Sequence, residues 1–92
     1  MITELTKPTV HLNGTSKSEL ALTLEIAAQA IRSAEMALGQ TAPNGRDYYP
    51  QGDRVIYKAQ DEHLSRLRRL VSVREELELL REHLEEVTTR AR

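Results

Sequence analysis

Apolar residues recur every three or four positions along two long stretches of this sequence, which constrains the fold more than any other feature. The first stretch runs through Leu20, Leu24, Ala27, Ile31, Ala34 and Leu38. The second runs through His63, Leu67, Leu70, Val73, Leu77, Leu80, Leu84, Val87 and Ala91. Because an α-helix places residues three and four apart on one face, the chain is predicted to be all-α.

Local signals predict where these helices begin and end. Ser16 and Glu19 have the spacing of a capping box, and Gly39 is a typical residue at a helix C-terminus. We expect a helical hairpin, with one helix over about residues 16–38 and a longer one over about 54–90. Residues 1–15 are expected to form an extended arm and residues 39–53 a connecting loop. The whole chain, 1–92, is expected to be a single domain.

Three details of the stripes predict how the helices pack. The step of three from Leu70 to Val73 predicts a local overwinding of the second helix. His63 lies on the apolar stripe, where a polar residue typically sets the register between helices. A second stripe on the first helix predicts a further helical neighbour: Ile26, Ala30 and Ala37.

The two predicted helices differ in length, at about 35 Å and about 55 Å. We expect the longer helix to overhang at its C-terminal end, near residues 78–92, where Leu80, Leu84 and Val87 continue the stripe. Four apolar residues can anchor the arm over this overhang: Ile2, Leu5, Val10 and Leu12. A second copy of the chain can also cover it. Because two helices alone bury little apolar surface, a homo-oligomer is predicted.

The composition argues against several classes of function. The chain has no cysteine, and its three histidines have no serine or aspartate partner at a recognisable catalytic spacing. We therefore expect no enzyme, no cofactor and no metal site. The sequence lacks a signal peptide, and its longest apolar stretch carries Glu25, Arg32 and Glu35, which argues against a membrane span. A cysteine-free chain fits a reducing compartment, so a cytoplasmic location is expected.

Charges are segregated along the second helix. A basic group is followed by an acidic one: Arg66, Arg68, Arg69 and Arg74, then Glu75, Glu76, Glu78, Glu82, Glu85 and Glu86. One interpretation is a solvated face with pairs four residues apart. The other is that the basic half meets the acidic half of another chain. The acidic run and the net charge of -1 argue against nucleic acid as a partner.

The segment before the first helix is a candidate anion site. His11, Asn13, Thr15 and Lys17 offer an imidazole, an amide, a hydroxyl and an ammonium where the free N–H groups of a helix start point outward. The alternative is that this segment only forms a turn and a helix cap.

The connecting loop is the second candidate. Tyr48 and Tyr49 offer rings for stacking on a base, and Arg46 and Arg54 offer forked donors for phosphate. Two neighbours can bind polar edges of a ligand: Asn44 and Asp47. The alternative is a tyrosine-packed loop that covers the end of the hairpin. Since the two segments lie at opposite ends of the first helix, a shared site is expected only between subunits.

The motifs "VHLNGTS" and "PNGRDYYPQG", followed by Ala59, Glu62 and His63 in an "A-x-x-E-H" step, resemble a family of small bacteriophage helical-hairpin proteins. In form this family is similar to the phage anti-CBASS and anti-Thoeris sponges, small oligomers that bind cyclic oligonucleotides or cyclic ADP-ribose isomers between subunits. The resemblance implies a phage anti-defence protein that sequesters a nucleotide-like immune signal in the host cytoplasm. The alternative is an oligomeric module that inhibits or scaffolds a host or phage protein.

Overall fold

The computed structural model describes residues 4–90, with side chains described up to residue 87. It contains two α-helices, α1 (Lys17–Gly39) and α2 (Val55–Arg90), which pack against each other as a hairpin. The connection between them contains two short 3₁₀ turns, Gly45–Asp47 and Tyr49–Gln51. The predicted all-α hairpin is confirmed, and residues 4–15 of the predicted arm precede α1 without forming a helix. Within the described range, neither helix is both long and apolar enough to cross a membrane.

The N-terminus of α1 forms as its sequence predicts, and the C-terminus does not. Ser16 is the N-cap, and its Oγ accepts a hydrogen bond from the backbone N–H of Glu19 at 3.1 Å, as the capping-box spacing indicates. Gly39 is not the C-cap, because the helix continues through it and ends at Gln40 in right-handed backbone geometry. Gln40 and Thr41 donate to carbonyls three residues back, so no left-handed residue is needed to end the helix.

The face of α1 that packs on α2 is shifted by one residue from the predicted stripe at three positions. Ala28 is 8% exposed and Glu35 is half-buried, whereas Ala34 is exposed. The α2-facing residues, which we call the seam, recur at steps of three and four: Ala21, Leu24, Ala28, Ile31, Glu35 and Leu38. A carboxylate therefore lies among apolar residues at the contact between the helices.

Arg74 lies at the matching position on α2 and binds that carboxylate with two nitrogens. Its Nε donates to Glu35 Oε2 at 2.5 Å and its Nη2 donates to Glu35 Oε1 at 3.2 Å. The two side chains are only 17% and 16% exposed. Val73 is 46% exposed, so the stripe steps from Leu70 to Arg74 and the predicted step of three does not lie at this point. The local overwinding of α2 stays a prediction.

Further ion pairs continue along the same contact. Arg32 pairs with Glu78 at 3.0 Å, Glu78 also accepts from Arg74, and Arg81 pairs with Glu25 at 3.0 Å. Residue numbers rise along α1 as they fall along α2, so the hairpin is antiparallel. Arg74 and Glu78 form a pair four residues apart, as the first interpretation of the charge segregation predicted, and most of the other charges of this helix are exposed. Neither interpretation predicted that Arg74 and Glu78 would also pair with α1 of the same chain.

The pairing of Glu35 with Arg74 leaves the N-terminal part of α2 without α1 beside it. Since Glu35 lies opposite Arg74, the end of α1 at Gly39 lies opposite about residue 70 of α2. Residues 55–69 therefore extend past α1 by about 20 Å; we call this segment the overhang. The predicted overhang at 78–92 is wrong, because Glu78 and Arg81 pair with α1 and Leu84 is fully buried.

His63 lies in the overhang and is 6% exposed. Its burial agrees with its position on the apolar stripe. It cannot set the register between the two helices, because α1 does not reach this part of α2. Arg74 and Glu35 have that role instead.

The N-terminal arm packs along the C-terminal half of α2, on its own chain. The ring Nε2 of His83 lies 3.2 Å from the carbonyl oxygen of Pro8, and Leu5 and Lys7 line a cleft with Leu79. Of the predicted anchors, Leu5 and Val10 are half-buried. Leu12 is 98% exposed and anchors nothing within this chain, while Ile2 lies outside the described residues.

The molecule is a rod. Its extents are 63 × 23 × 19 Å and its radius of gyration is 19.0 Å, against about 12 Å for a compact domain of this length. Of the side chains that the structure describes, few are buried: Ala28, Ala59, His63 and Leu84. A long hairpin of this kind has a thin core, so each core residue carries a large share of the stability.

The contact between Glu35 and Arg74 gives a pH-dependent stability. Mainly through its hydrogen bond, Arg74 holds the pKa of the Glu35 carboxyl below its usual value. Glu35 thus binds fewer protons in the folded chain than in the unfolded one, and the stability it adds is lost as the pH falls through its folded pKa. We expect the urea midpoint to fall less steeply below about pH 5 in Glu35→Gln than in the wild type, as measured by circular dichroism.

The control for this experiment is Glu25→Gln, which removes a carboxylate that is 38% exposed in its pair with Arg81. Exposed pairs contribute little, about 0–1 kcal/mol. Its pH profile should stay close to that of the wild type. Equal flattening in both variants would contradict a special role for Glu35.

Substitution of Leu84 tests how much the small core contributes to stability. Its side chain is fully buried, so Leu84→Ala should lower the free energy of unfolding by about 2–5 kcal/mol in urea denaturation. Leu64 is 44% exposed on the overhang and provides a matched control, for which we expect a loss below about 1 kcal/mol. Similar losses in the two variants would show that Leu84 is not in the core.

Candidate functional site

The connection between the helices is ordered by its own hydrogen bonds. Asn44 Oδ1 accepts from the backbone N–H of Arg46 at 3.0 Å and lies 3.4 Å from Arg46 Nε. The backbone N–H of Tyr48 donates to Gly45 at 3.1 Å, and that of Gly52 donates to Tyr49 at 3.0 Å. Asn44 therefore caps a turn and positions Arg46, which leaves its carbonyl oxygen less free to bind a ligand.

Gly52 redirects the chain into α2. Its backbone has φ 126° and ψ 157°, a conformation that is essentially restricted to glycine. Its carbonyl accepts from the backbone N–H of Val55 at 3.4 Å, at the start of α2. This glycine fixes the angle at which the connection meets the overhang.

The two neighbouring tyrosines have different environments. Tyr48 is half-buried and lines a shallow hollow with Gln51, Val55 and Ala59, and Ala59 is only 7% exposed. Tyr49 is 71% exposed. The alternative in which the tyrosines only pack against the hairpin thus accounts for Tyr48, which covers part of the overhang. It does not account for Tyr49.

The charged residues of the connection face solvent. Arg46, Asp47 and Arg54 are all exposed, and Arg54 uses its carbonyl oxygen to accept from the backbone N–H of Tyr57 at 3.1 Å. Tyr49, whose ring is exposed, thus follows one exposed arginine and precedes another along a short hydrogen-bonded segment. This combination can stack on a planar ligand and bind an anionic group.

The second predicted segment begins with a turn. The backbone N–H of Gly14 donates to the carbonyl of His11 at 3.1 Å, and the His11 ring lies over Gly14, where an added Cβ would be 2.6 Å from Nε2. Asn13 and Thr15 are exposed, and Lys17 is half-buried in the first turn of α1. The His11 imidazole, the Asn13 amide and the Thr15 hydroxyl, all on exposed residues, are therefore accessible around the start of α1.

The structure does not bring the two segments together within one chain. They lie at opposite ends of α1, which has 23 residues and is about 34 Å long. This agrees with the expectation that a shared site needs two subunits. A single chain presents two open surfaces and no common pocket.

Two hollows in the described part of the chain are small and open. The cleft between the arm and α2 has about 240 Å³ and the hollow beside Tyr48 about 190 Å³. Pockets that enclose a small molecule usually have about 300–1,000 Å³. Among the described residues, no group of three His, Asp or Glu side chains is placed to hold a metal ion.

A further surface was only partly anticipated by the sequence. The side of α1 that faces away from α2 exposes Leu22, which is 58% exposed, and Ile26, which is 59% exposed. We call this surface the outer face of α1; it consists of Leu22, Ile26, Ala30, Ser33 and Ala37. The stripe of Ile26, Ala30 and Ala37 predicted a neighbour here, and its own chain does not supply one in the described range.

No protein-family model, curated protein or solved structure matches this chain. The resemblance carried by the "HLNGTS" and "PNGRDYYPQG" motifs therefore stays a prediction. Inference about function depends on the surfaces described above.

Gly52 gives a test of how the connection is built. Gly52→Ala should lower the free energy of unfolding by about 1–3 kcal/mol, because alanine is strained at this φ and ψ. Gly45→Ala is the control, since an added Cβ there meets nothing within 4 Å, and we expect a change within about 0.5 kcal/mol. Urea denaturation measures both, and equal effects would contradict the assigned backbone geometry.

Proposed function

We propose that this chain is a non-enzymatic, self-associating protein that binds a nucleotide-like ligand at the seams between its copies. The observation that carries the proposal is the exposed ring of Tyr49 in an ordered segment between two exposed arginines, Arg46 and Arg54. A ring stacks on a base whatever its identity, and a guanidinium group binds phosphate with paired donors.

Packing within the chain does not require this arrangement. Tyr48 already covers the hollow on α2, and Asn44 and Gly52 already shape the connection. Tyr49 and Arg54 have neither of those tasks, while Arg46 holds the turn by donating its backbone N–H and its Nε to Asn44 Oδ1. A ligand that combines a flat ring with phosphate fits the chemistry of all three side chains.

Self-association completes the proposed site. An open surface on one chain binds a small ligand weakly, because such ligands are usually held in enclosed pockets. In an assembly, the polar residues before and at the start of α1 can close the pocket from a neighbouring copy: the exposed His11, Asn13 and Thr15, and the half-buried Lys17. Sequestration of a phage-directed immune signal is the biological role that the motif resemblance implies for such a site.

Docking on a host or phage protein is the second candidate. The open shape of the connection favours it, since tyrosine and arginine are also frequent anchors of protein interfaces. In this version, Tyr49 inserts into a pocket of the partner protein and the hairpin acts as a scaffold.

Calorimetric titration distinguishes these functions. The wild type should bind at least one member of a panel of cyclic dinucleotides, cyclic trinucleotides and ADP-ribose isomers. Stacking of one base on a ring contributes about 1–3 kcal/mol, so Tyr49→Ala should weaken binding by roughly 5- to 150-fold. Tyr57→Ala is the matched control, because Tyr57 is 63% exposed on α2 outside the connection and should leave the affinity unchanged.

Two results would contradict the nucleotide proposal. One is the absence of heat and of any thermal shift with the whole panel. The other is an equal loss of affinity in Tyr49→Ala and Tyr57→Ala. Recovery of one stable protein partner from a host lysate, dependent on Tyr49 but not on Tyr57, would favour the docking function instead.

A further inference from the structure

The outer face of α1 carries no charge over most of its length. Between Leu20 and Gly39 the helix has three charged residues: Glu25, Arg32 and Glu35. Each of them forms an ion pair with α2. A helix face that is exposed to water in the functional protein usually carries charged side chains. This face instead has the composition of a contact surface.

The chain also has enough excess surface for a stable interface. Its accessible surface is 7326 Å², while a compact monomer of this mass has about 5,400 Å². The excess of about 1,900 Å² exceeds the roughly 800 Å² that each partner buries in a standard interface. Covering the outer face of α1 with another helix would remove part of this excess.

The sizes of the side chains on the outer face differ between its two halves. The N-terminal half carries the large residues, Leu22 and Ile26, and the C-terminal half carries small ones, Ser33 and Ala37. Ala30 lies between them. An antiparallel copy places large residues against small ones, which fills space well, whereas a parallel copy places large against large and small against small.

We propose that a second copy of this chain docks on the outer face of α1, with the two α1 helices antiparallel about a two-fold axis near Gln29 and Ala30. This inference rests on the proposed self-association and specifies its geometry. Leu22 then lies opposite Ala37 of the second copy, and Ile26 lies opposite Ser33. An uncharged face suits such an isologous contact, because like charges do not meet across the axis.

This arrangement also brings two segments of different copies closer together. With the axis near Gln29 and Ala30, Lys17 of one copy lies opposite about residue 42 of the other, where the connection begins. Tyr49 lies farther along the overhang, since Tyr48 packs beside Val55 and Ala59. The contact therefore places the start of α1 near the beginning of the second copy's connection, and it does not close a pocket over Tyr49.

Sedimentation velocity of the full chain tests the docking face. The wild type should be a dimer, or a higher assembly of dimers, at micromolar concentration. Ile26→Lys places a charge in the proposed contact and should weaken association on the order of tenfold or more. Leu64→Lys is the control, because Leu64 is an exposed apolar residue on α2 and should leave the association unchanged.

Cysteine cross-linking tests the orientation independently, since the natural sequence has no cysteine. Ala30→Cys lies near the axis and should form a disulfide-linked dimer rapidly under mild oxidation. Leu22→Cys should form little, and the double variant Leu22→Cys/Ala37→Cys should form it efficiently. Faster cross-linking of Leu22→Cys than of Ala30→Cys would show a parallel contact and overturn the proposal.

The outcomes separate this inference from the proposed function. An oligomer that survives Ile26→Lys, or that only Leu64→Lys disrupts, overturns the docking face but leaves the binding function standing. A wild-type chain that stays monomeric at high micromolar concentration overturns both. Circular dichroism of each variant checks that it is folded, which is expected because Ile26 is 59% exposed in the single chain.

Discussion

The ion pair between Arg74 and Glu35 determines how the two helices are matched. Apolar residues at a seven-residue repeat pack almost equally well when one helix slides by seven residues, so they leave the register open. A partly buried pair limits that freedom, because sliding would leave the Glu35 carboxylate among apolar side chains without a partner, while Arg74 would keep only Glu78 of its own helix. With Arg74 opposite Glu35, the two further pairs of Arg32 with Glu78 and of Arg81 with Glu25 follow along the seam.

The register explains why the connection is long. α1 ends opposite about residue 70, while α2 begins at Val55, so the chain must travel about 20 Å before the second helix can start. The connection lies along the overhang on the way, and Tyr48 packs against it. Its length is therefore a consequence of the fold and does not by itself indicate a binding function.

The sequence predicts the helices well and their pairing poorly, for a physical reason. The presence of the two helices and the Ser16 cap depend on the spacing of residues that are close in sequence, and this spacing can be read from a single sequence. The residues of the seam are harder to predict, because two neighbouring residues such as Ala34 and Glu35 can each face α2. Hydrophobicity predicts that Ala34 faces α2, whereas in the structure Glu35 does. Only the contact with Arg74 makes Glu35 the buried residue. Which end of α2 overhangs, and hence which tyrosine is covered, follows from this contact and cannot be read from helix lengths.

Two features are left unexplained by the packing of one chain. The outer face of α1 is uncharged and has no neighbour among the described residues, and Tyr49 is exposed in a segment that has exposed arginines on both sides of it in sequence. The graded side-chain sizes from Leu22 to Ala37 favour the proposed antiparallel contact, which brings the start of α1 to the beginning of the second copy's connection. A parallel contact would keep these two segments at opposite ends of the paired helices, so the orientation of the helices decides whether they approach each other.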